Sequence, residues 1–473
     1  MIKNLTLLST LLAAAWLAGC ANPGTLPPPA QPLSASQIGL ATEGQLPALD
    51  ERWWHAWGDS RLDALVDKAL ADHPSLQAAQ ARRARAAAGA ETARASDDLQ
   101  VNLSADVTRQ RYTKNGMIPP PIAGNTWDSA NLMLGATWEF DFFGRHRAAL
   151  AAAVGAERAA QADAAAARTW LATQVVRSYV ALARLVAQRR IAERVLAQRE
   201  DTLALIRQRV GEGLDTQVEL QQGLSAVPDA KLQLGLLDEQ ISLAQHQLAS
   251  LTLQPPQALQ DLAPELPSAA APVPAQLSAD LLGRRADLVA ARWRVEAATQ
   301  DVAVARAQFY PNLSLSAFAG LSSLGLDRLV DMGSRTYGAG PALHLPIFDA
   351  GRLRAQLHGR AADLDGAVAA YNAALLDAVQ SAADAQTSLQ ALQQQRQEQA
   401  AAHSHAQLAF EHAQQRYRAG LGSYLLVLSA ETQVLTQQRA AVDLQARQLD
   451  AQAQLARALG GGWQPEPASA SAQ

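Results

Sequence analysis

Apolar residues follow a coiled-coil period through two long stretches of the chain. Between residues 351 and 420 they recur at alternating steps of four and three, which is the seam of a coiled coil. The seam positions are Tyr371, Leu375, Ala378, Ala382, Ala385, Leu389 and Leu392. Residues 144–213 match this stretch, since both begin with Gly-Arg and end in a Gln-Arg-x-x-x-Gly-Leu turn. The sequence therefore predicts two copies of one long helix, each running roughly 100 Å at a rise of about 1.5 Å per residue.

A shorter helix is predicted to return from each turn, over residues 215–253 and 421–459. The second keeps an apolar seam, formed by Leu425, Leu428, Thr432, Leu435, Val442 and Leu449. The first contains Pro228, which should bend it because proline removes a backbone hydrogen bond. Helices this long bury their seams only against other long helices, so an ordinary filament coiled coil is an alternative at this point.

Four stretches change to a period of two and are predicted to be strands, at residues 101–108, 130–139, 312–321 and 339–347. Each stretch has one apolar and one polar face. A long loop is expected at residues 112–127, where glycine and proline cluster. A helix should precede each hairpin, over residues 60–96 with a break at His73-Pro74, and over residues 281–308.

Strands of about ten residues with a single apolar face have the dimensions of outer-membrane strands. A soluble β-sandwich would show the same alternation. Two features favour the membrane. The first is the N-terminal export signal described below, and the second is that each hairpin is inserted between helices, with no further strands to complete a second sheet. Four strands cannot enclose a lumen, and an open sheet edge is unfavourable in lipid. We therefore expect an oligomer whose polar strand faces line a pore and whose helices continue into the periplasm.

The first twenty residues have the layout of a bacterial secretory signal, with Lys3, an apolar run over residues 5–16, and Leu-Ala-Gly before Cys20. This stretch resembles a lipobox, in which the thiol is acylated and Cys20 becomes the first mature residue. A plain signal peptide with an incidental cysteine is the alternative. The resemblance to bacterial lipoproteins adds that Ala21, rather than aspartate, favours the outer membrane. Because Cys20 is the single cysteine, the chain can make no internal disulfide.

These patterns divide the chain into six segments. We expect a signal peptide at residues 1–19, a lipid-anchored tether at 20–58, and a first repeat at 59–254. A proline-rich connector at 255–276, holding little that could pack, leads to a second repeat at 277–462, and residues 463–473 read as a disordered tail. Within the tether, Trp53, Trp54 and Trp57 are expected to pack against the helices.

Composition excludes several classes of function. A net charge of -4 with 18% charged residues provides no basic field, so a nucleic-acid partner is not expected. His403 and His405 lie two apart on a helix and point in directions about 200° apart, which argues against a shared metal. Carboxylates are scattered at the spacing of solvated helix faces. The sequence favours neither an enzyme nor a metal site, and the covalent lipid on Cys20 is the only non-protein group expected.

Several motifs resemble the TolC-like outer membrane factors, over nearly the whole mature chain. They include Arg-Trp-Trp at 52–54, Leu-Gly-Arg-Arg-Ala-Asp at 282–287, Phe-Tyr-Pro-Asn at 309–312, Leu-Pro-Ile-Phe-Asp-Ala-Gly-Arg at 345–352, and Arg416-Tyr417 before Gly420-Leu421. Ala286 departs from the pattern, since the family commonly has proline there. The lipobox points to the lipoprotein branch of the family.

The resemblance implies a mixed α/β membrane protein: a homotrimer with a twelve-stranded transmembrane β-barrel, four strands per chain, continued by a long periplasmic α-helical barrel. It also implies an exit duct in the outer membrane that works with a periplasmic adaptor protein and an inner-membrane transporter. In the family, the turns between the long helices carry the adaptor contact. The corresponding positions are Gly213, Leu214, Asp215 and Thr216, and Gly420, Leu421, Gly422 and Ser423.

The resemblance also suggests a periplasmic gate, because several TolC-like proteins close the mouth with apolar rings and an aspartate ring. Alignment on Gly420 places Leu421, Leu425 and Ser429 at the inward positions, four apart on one helix face. Serine stands where the aspartate would be, and Glu431 lies about 200° around the helix from that face. We expect a mouth closed by leucine packing, without a carboxylate ring. The alternative is that these leucines pack between helices and line nothing.

Two other functions fit parts of the pattern. A non-conducting periplasmic adaptor would also contain a coiled coil, but it would be expected to carry one helical hairpin between small soluble β-domains. An exit duct for type I protein secretion is not cleanly separated from a duct for small-molecule efflux, and the lipobox favours efflux by resemblance only.

Overall fold

The computed structural model describes residues 23–39, 49–267 and 281–464. Within these ranges the chain forms two compact units. The first unit comprises residues 23–32, 82–160 and 291–371 and contains the β-sheet. The second comprises residues 33–39, 49–81, 161–267, 281–290 and 372–464 and is helical. The signal peptide, Cys20 and residues 465–473 lie outside the described residues.

The helices repeat in matching lengths. The shorter ones are α1 (Ser60–Asp72), α2 (Pro74–Ala95), α5 (Leu281–Arg284) and α6 (Ala286–Ala307). The long helices α3 (Arg145–Gly211) and α7 (Arg352–Arg418) have 67 residues each. The return helices α4 (Gln217–Leu251) and α8 (Tyr424–Ala458) have 35 residues each. Equal lengths in both halves agree with the duplication read from the sequence.

Local chemistry explains where the first helices begin and end. Asp59 caps α1 by accepting the backbone N–H groups of Arg61 and Leu62. His73 separates α1 from α2, and Pro74 occupies the first position of α2, where its missing N–H costs nothing. The predicted break at His73-Pro74 is confirmed. Helix α4 instead continues through Pro228, so proline does not end the helix there.

The strands form one antiparallel sheet in the order β1-β2-β3-β4. Their bounds are β1 (Gln100–Arg111), β2 (Thr126–Phe140), β3 (Asn312–Leu324) and β4 (Arg335–His344). The predicted bounds of the fourth strand, 339–347, were wrong at both ends. The strand begins at Arg335, which pairs with Leu321, and ends at His344, whose partner Asn312 is the first residue of β3.

The helical unit has a core of buried aliphatic and aromatic side chains. Trp53, Trp54 and Trp57 lie in a short 3-10 helix, are buried, and contact one another edge to face. They pack with residues of α1, α3, α4 and α8 that include Leu62, Val175, Tyr179, Leu248 and Leu449. The expectation that the tryptophans pack against helices is confirmed. The coiled-coil seam from Leu375 to Leu392 is likewise buried.

Parts of the tether, of the connector and of the expected tail are packed. In the tether, Leu26 lies against the cluster of Phe309 and Leu357, and the N–H of Ala30 donates to Asp365. In the connector, residues 256–259 form a 3-10 turn and Leu259 is buried in the helical core. Trp463, the first residue of the expected tail, is half-buried. Isolated apolar residues in proline-rich or polar sequence therefore contribute to packing here. Among the described residues, no helix is both long and apolar enough to cross a membrane.

Candidate functional site

One face of the sheet is apolar from edge to edge and exposed. The register brings Leu103, Leu134, Ala319 and Tyr337 into one row across the four strands. Leu103 is 69% exposed and Tyr337 83% exposed. An exposed row of apolar side chains across all four strands is unfavourable in water and is the pattern of a lipid-facing strand wall.

The opposite face carries a row of hydrogen-bonded polar side chains. Asn131 donates to Asp106 with an Nδ2–Oδ2 distance of 2.9 Å, and Ser322 donates to Asn131 with an Oγ–Oδ1 distance of 2.7 Å. This row crosses three strands. The sheet is therefore amphipathic, with one face suited to lipid and one to water. In the described part of the chain, β1 and β4 each pair on one side only, so both edges are open.

Two similar turns connect the strands to the long helices. Asp141 accepts the N–H of Arg147 at 2.9 Å before α3, and Asp349 accepts the N–H groups of Gly351 and Leu353 before α7. Gly144 and Gly351 adopt φ values of +75° and +87°, which glycine reaches without strain. The hydrogen bond from Leu353 is the main cause that lowers the pKa of Asp349. Each strand pair is thus joined to its helix by a capped turn.

Aromatic side chains collect around these junctions. The rings of Phe143 and Tyr310 stack at a centroid distance of 4.8 Å, and Phe140 lies between Trp138 and Phe142. Phe142, Phe143 and Tyr310 are exposed. Aromatic residues with this exposure are typical of the belt at a membrane interface.

The first helix-to-helix turn, residues 213–216, is fastened by side chains. Arg209 donates to both carboxylate oxygens of Asp215, at 2.8 and 2.9 Å, and this hydrogen bonding lowers the pKa of Asp215. Thr216 and Glu219 form a capping box at the start of α4. Gly213 has φ +74°, and Leu214 is 61% exposed. The turn therefore exposes the side chain of Leu214 on a backbone that these hydrogen bonds restrain.

The second turn, residues 420–423, has the same backbone hydrogen bond as the first turn and fewer side-chain hydrogen bonds. The N–H of Leu421 donates to the carbonyl of Arg416 at 2.8 Å, as that of Leu214 does to Arg209. Ser423 caps α8 without a side-chain hydrogen bond, and Gly422 stands where the first turn has Asp215. Leu421 is 71% exposed. The structure thus places all eight turn residues predicted from sequence in two equivalent, exposed turns.

The three residues predicted to form the gate are exposed on this chain. Leu421, Leu425 and Ser429 face away from the helices of the chain, whereas Val427 and Leu428 are buried. Leu425 was also expected in the seam of α8, and the structure does not bury it there. Burial and the nearby carboxylate of Asp201 raise the pKa of Glu431, which is half-buried, while Arg194 acts in the opposite direction.

Polar contacts join α3 to α8, and the sequence did not predict them. Gln198 is buried, and its Nε2 donates to the carbonyl of Leu428 at 2.5 Å and to Thr432 at 3.0 Å. Further along, Arg177 pairs with Asp450 at 2.5 Å. Among the described residues, no three His, Cys, Asp or Glu side chains are grouped as metal ligands. The candidate site therefore consists of the amphipathic sheet, the junctions below it and the two exposed turns.

An amphipathic sheet with an exposed apolar face, joined by aromatic-lined turns to paired 67-residue helices, defines the class of protein. It is an outer membrane channel with helical extensions. The sequence matches the family described as outer membrane efflux protein over residues 65–252 and 277–461, and the chain belongs to that family.

Relatives and solved structures agree with this assignment. The chain is 32% identical to the multidrug resistance outer membrane protein MdtP of Shigella flexneri, over 98% of both chains. It is 35% identical to the fusaric acid resistance protein FusA of Burkholderia cepacia, over 75% of this chain and 69% of that protein. The crystal structure of the outer membrane protein VceC of Vibrio cholerae superposes with a TM-score of 0.80 at 37% identity, over 87% of this chain and 99% of that one.

The comparisons confirm the resemblance read from sequence, the TolC-like fold class and the location in the outer membrane. They also confirm the function, an outer membrane exit duct of an efflux system. The family is one of channels rather than enzymes. The turn, gate and lipidation residues stay predictions.

Proposed function

We propose that three copies of this chain close a twelve-stranded barrel and form a passive exit duct for small toxic compounds. The observation that carries the proposal is the open four-stranded sheet, whose exposed apolar face ends in two unpaired edges. In lipid, unpaired backbone groups cost several kcal/mol each, so β4 must pair with β1 of another copy. Four strands are too few to surround a lumen, whereas twelve leave an open channel.

The partners follow from the same arrangement. A duct in the outer membrane has no energy source of its own, so an inner-membrane transporter must drive export and a periplasmic adaptor must connect the two. The turns at residues 213–216 and 420–423 are proposed as the adaptor surface, because each exposes a leucine on a turn fixed by backbone hydrogen bonds. The names of MdtP and FusA, a multidrug and a fusaric acid resistance protein, support small organic compounds as substrates.

The gate is proposed at the start of α8. Leu421 lies in the turn before α8, whereas Leu425 and Ser429 are four residues apart on one face of α8, and all three are exposed on the single chain. Three copies would bring six leucines and no carboxylate to the axis. The alternative to a gate is that the leucines pack between helices of their own chain. The 40% exposure of Leu425 argues against it. Glu431 is half-buried and does not share the face of Ser429.

Acylation of Cys20 is proposed to add an anchor beside the barrel. Pro23, three residues after Cys20, lies in a pocket with Arg306 and Tyr310, next to the start of β3. Tyr310 belongs to the aromatic belt at the strand-to-helix junction. A chain of three residues spans at most about 11 Å, which leaves the cysteine within reach of the same interface.

Mass and conductance of the purified protein test the proposal. Light scattering in mild detergent should give the mass of three chains, and the same sample should conduct ions in planar bilayers. A mass of one chain, or trimers that never conduct, would contradict it. Deleting the gene in the host should increase sensitivity to small organic toxins and leave the secreted proteins unchanged. A specific loss of one secreted protein would favour type I secretion instead.

A further inference from the structure

Three arginines lie on the apolar face of the sheet, at the loop-connected ends of its two edge strands. Arg109 and Arg111 follow Val107 at a spacing of two in β1, so they share its face. Arg335 is the first residue of β4 and pairs with Leu321, which belongs to the apolar face of β3. These ends of the strands lie opposite the ends that join the helices.

At least two of these charges have no counter-ion among the residues that the structure describes. Arg109 makes a loose ion pair with Asp128 at 3.8 Å and is 76% exposed. Arg111 and Arg335 are exposed, and their guanidinium groups form no hydrogen bond or ion pair within the described residues. Next to them on the same face stand Val107 and Tyr337, which are also exposed. The surface therefore combines unpaired guanidinium groups with apolar side chains that lie next to them on the same face of the sheet.

The position of the arginines fits the boundary of the hydrocarbon layer. An arginine on the lipid face costs about 2–4 kcal/mol at the bilayer midplane but roughly 0–1 kcal/mol near the interface. The long aliphatic part of the side chain can lie against the apolar wall while the guanidinium group stays at headgroup level. There it meets phosphate groups, which it binds through two parallel hydrogen bonds.

We propose that Arg109, Arg111 and Arg335 bind the phosphates of the outer-leaflet glycolipid, whose acyl chains lie along Val107 and Tyr337. The helices of an exit duct extend into the periplasm, so the loop-connected strand ends reach the outer leaflet, which is built from phosphorylated glycolipid. A glycolipid headgroup with two phosphates can bind several arginines at once, whereas a phospholipid offers a single phosphate.

The proposal rests on the trimer of the proposed function for its full geometry. β1 and β4 are the two edges of the sheet and become neighbours when copies close a barrel. Arg335 of one copy and Arg109 and Arg111 of the next would then form one cationic site on the lipid-facing wall at each subunit boundary. The glycolipid thus bridges two subunits at the outer end of the barrel.

A titration of lipid A against the purified detergent-solubilised protein tests this inference. The double variant Arg111→Gln/Arg335→Gln should bind diphosphorylated lipid A at least tenfold more weakly than the wild type. Dephosphorylated lipid A should bind the wild type as weakly as lipid A binds the variant. The matched control is Arg82→Gln/Arg83→Gln, which removes two exposed arginines from α2 and should bind lipid A normally.

Three outcomes would overturn the inference: unchanged binding by Arg111→Gln/Arg335→Gln, an equal loss in the control, or equal affinity of the wild type for phosphatidylglycerol. The last would mean that any anionic phospholipid occupies the site. Light scattering on each sample separates this result from the proposed function. If the wild type has the mass of one chain, the trimer is wrong, and the same titration still decides whether the arginines bind lipid A.

Discussion

The hydroxyl of Tyr179 donates a hydrogen bond to Asp59 Oδ2 at 2.5 Å, in the core of the helical unit. The same carboxylate caps α1, so one aspartate connects the first short helix to the long helix α3. Tyr179 is fully buried, and burial together with this bond raises its pKa. The contact joins residues that are 120 positions apart in the sequence.

We expect Tyr179→Phe to destabilise the helical unit by about 2 kcal/mol, the usual effect of losing a hydrogen bond to a charged group. Asp59 would keep its backbone N–H partners, so the fold should survive. Thermal unfolding followed by circular dichroism should show a lower midpoint. Tyr371→Phe is the control, because the Tyr371 hydroxyl makes no hydrogen bond within the described residues, and an equal loss there would contradict the assigned role of Asp59.

Gly320→Ala should weaken the pairing of β2 and β3, because an added methyl group would collide with the carbonyl oxygen of Leu132. Gly340 lies on the adjacent strand β4, and a methyl group added there would meet no atom within 4 Å, so Gly340→Ala should be tolerated. Folding of each variant into detergent can be followed by the fraction that reaches the oligomeric form. Equal yields for the two variants would show that the close approach at Gly320 does not matter.

The sequence predicted the faces of the sheet but not its order. Val101, Leu134 and Leu315 lie on the apolar face as their period of two requires, because alternation is a local property of a strand. The pairing of β2 with β3 joins the two repeats across a long stretch of helix and has no local signal. The early start of β4 was missed because Arg335 places a charge at an apolar-face position and Gly338 is a weak strand former.

The sequence predicted the turns of the candidate site but not the side-chain contacts that hold its helices together. The turns at Gly213 and Gly420 were recognisable because both need glycine at positive φ after a helix. Gln198 gave no signal, since glutamine on a helix is normally solvated. Its burial against Leu428 depends on where α8 packs, which no local pattern reveals.

Leu425→Ala should raise the resting conductance of the trimer in planar bilayers, because it removes apolar packing from the proposed gate. Leu426→Ala is the matched control: Leu426 is also exposed but points to a different side of α8. Millimolar divalent cations should block the wild type only weakly, since Ser429 supplies no charge. Strong block, or an unchanged conductance in Leu425→Ala, would contradict this account of the gate.

Leu214→Glu and Leu421→Glu should each reduce crosslinking to the periplasmic adaptor in cells by several fold. Both residues are exposed at turns, so a charge there should disturb docking and leave insertion into the membrane intact. Leu232→Glu, an exposed leucine on α4 away from the turns, should crosslink normally. Normal crosslinking in both turn variants would place the docking surface elsewhere.

Cys20→Ser should abolish labelling of the protein by a radioactive fatty acid, because no other cysteine is present. Resistance should fall only partly, since an inserted barrel holds to the membrane far more strongly than acyl chains do. Absence of label on the wild type would end the lipoprotein assignment.

We expect the different side-chain contacts of the two turns to make the first helical hairpin stiff and the second more compliant. Arg209 and Asp215, with the capping box of Thr216, restrain the first hairpin. Across the second turn Arg416 donates a longer hydrogen bond, 3.4 Å, to the carbonyl of Leu421, and the rings of Tyr417 and Tyr424 are in contact. Thermal motion at the mouth should therefore concentrate in the hairpin that carries Leu421 and Leu425. Because the pKa of Asp215 is lowered, its bond to Arg209 persists when the medium turns mildly acidic. Acid stress would then leave the stiff hairpin as a fixed reference against which the compliant one opens and closes.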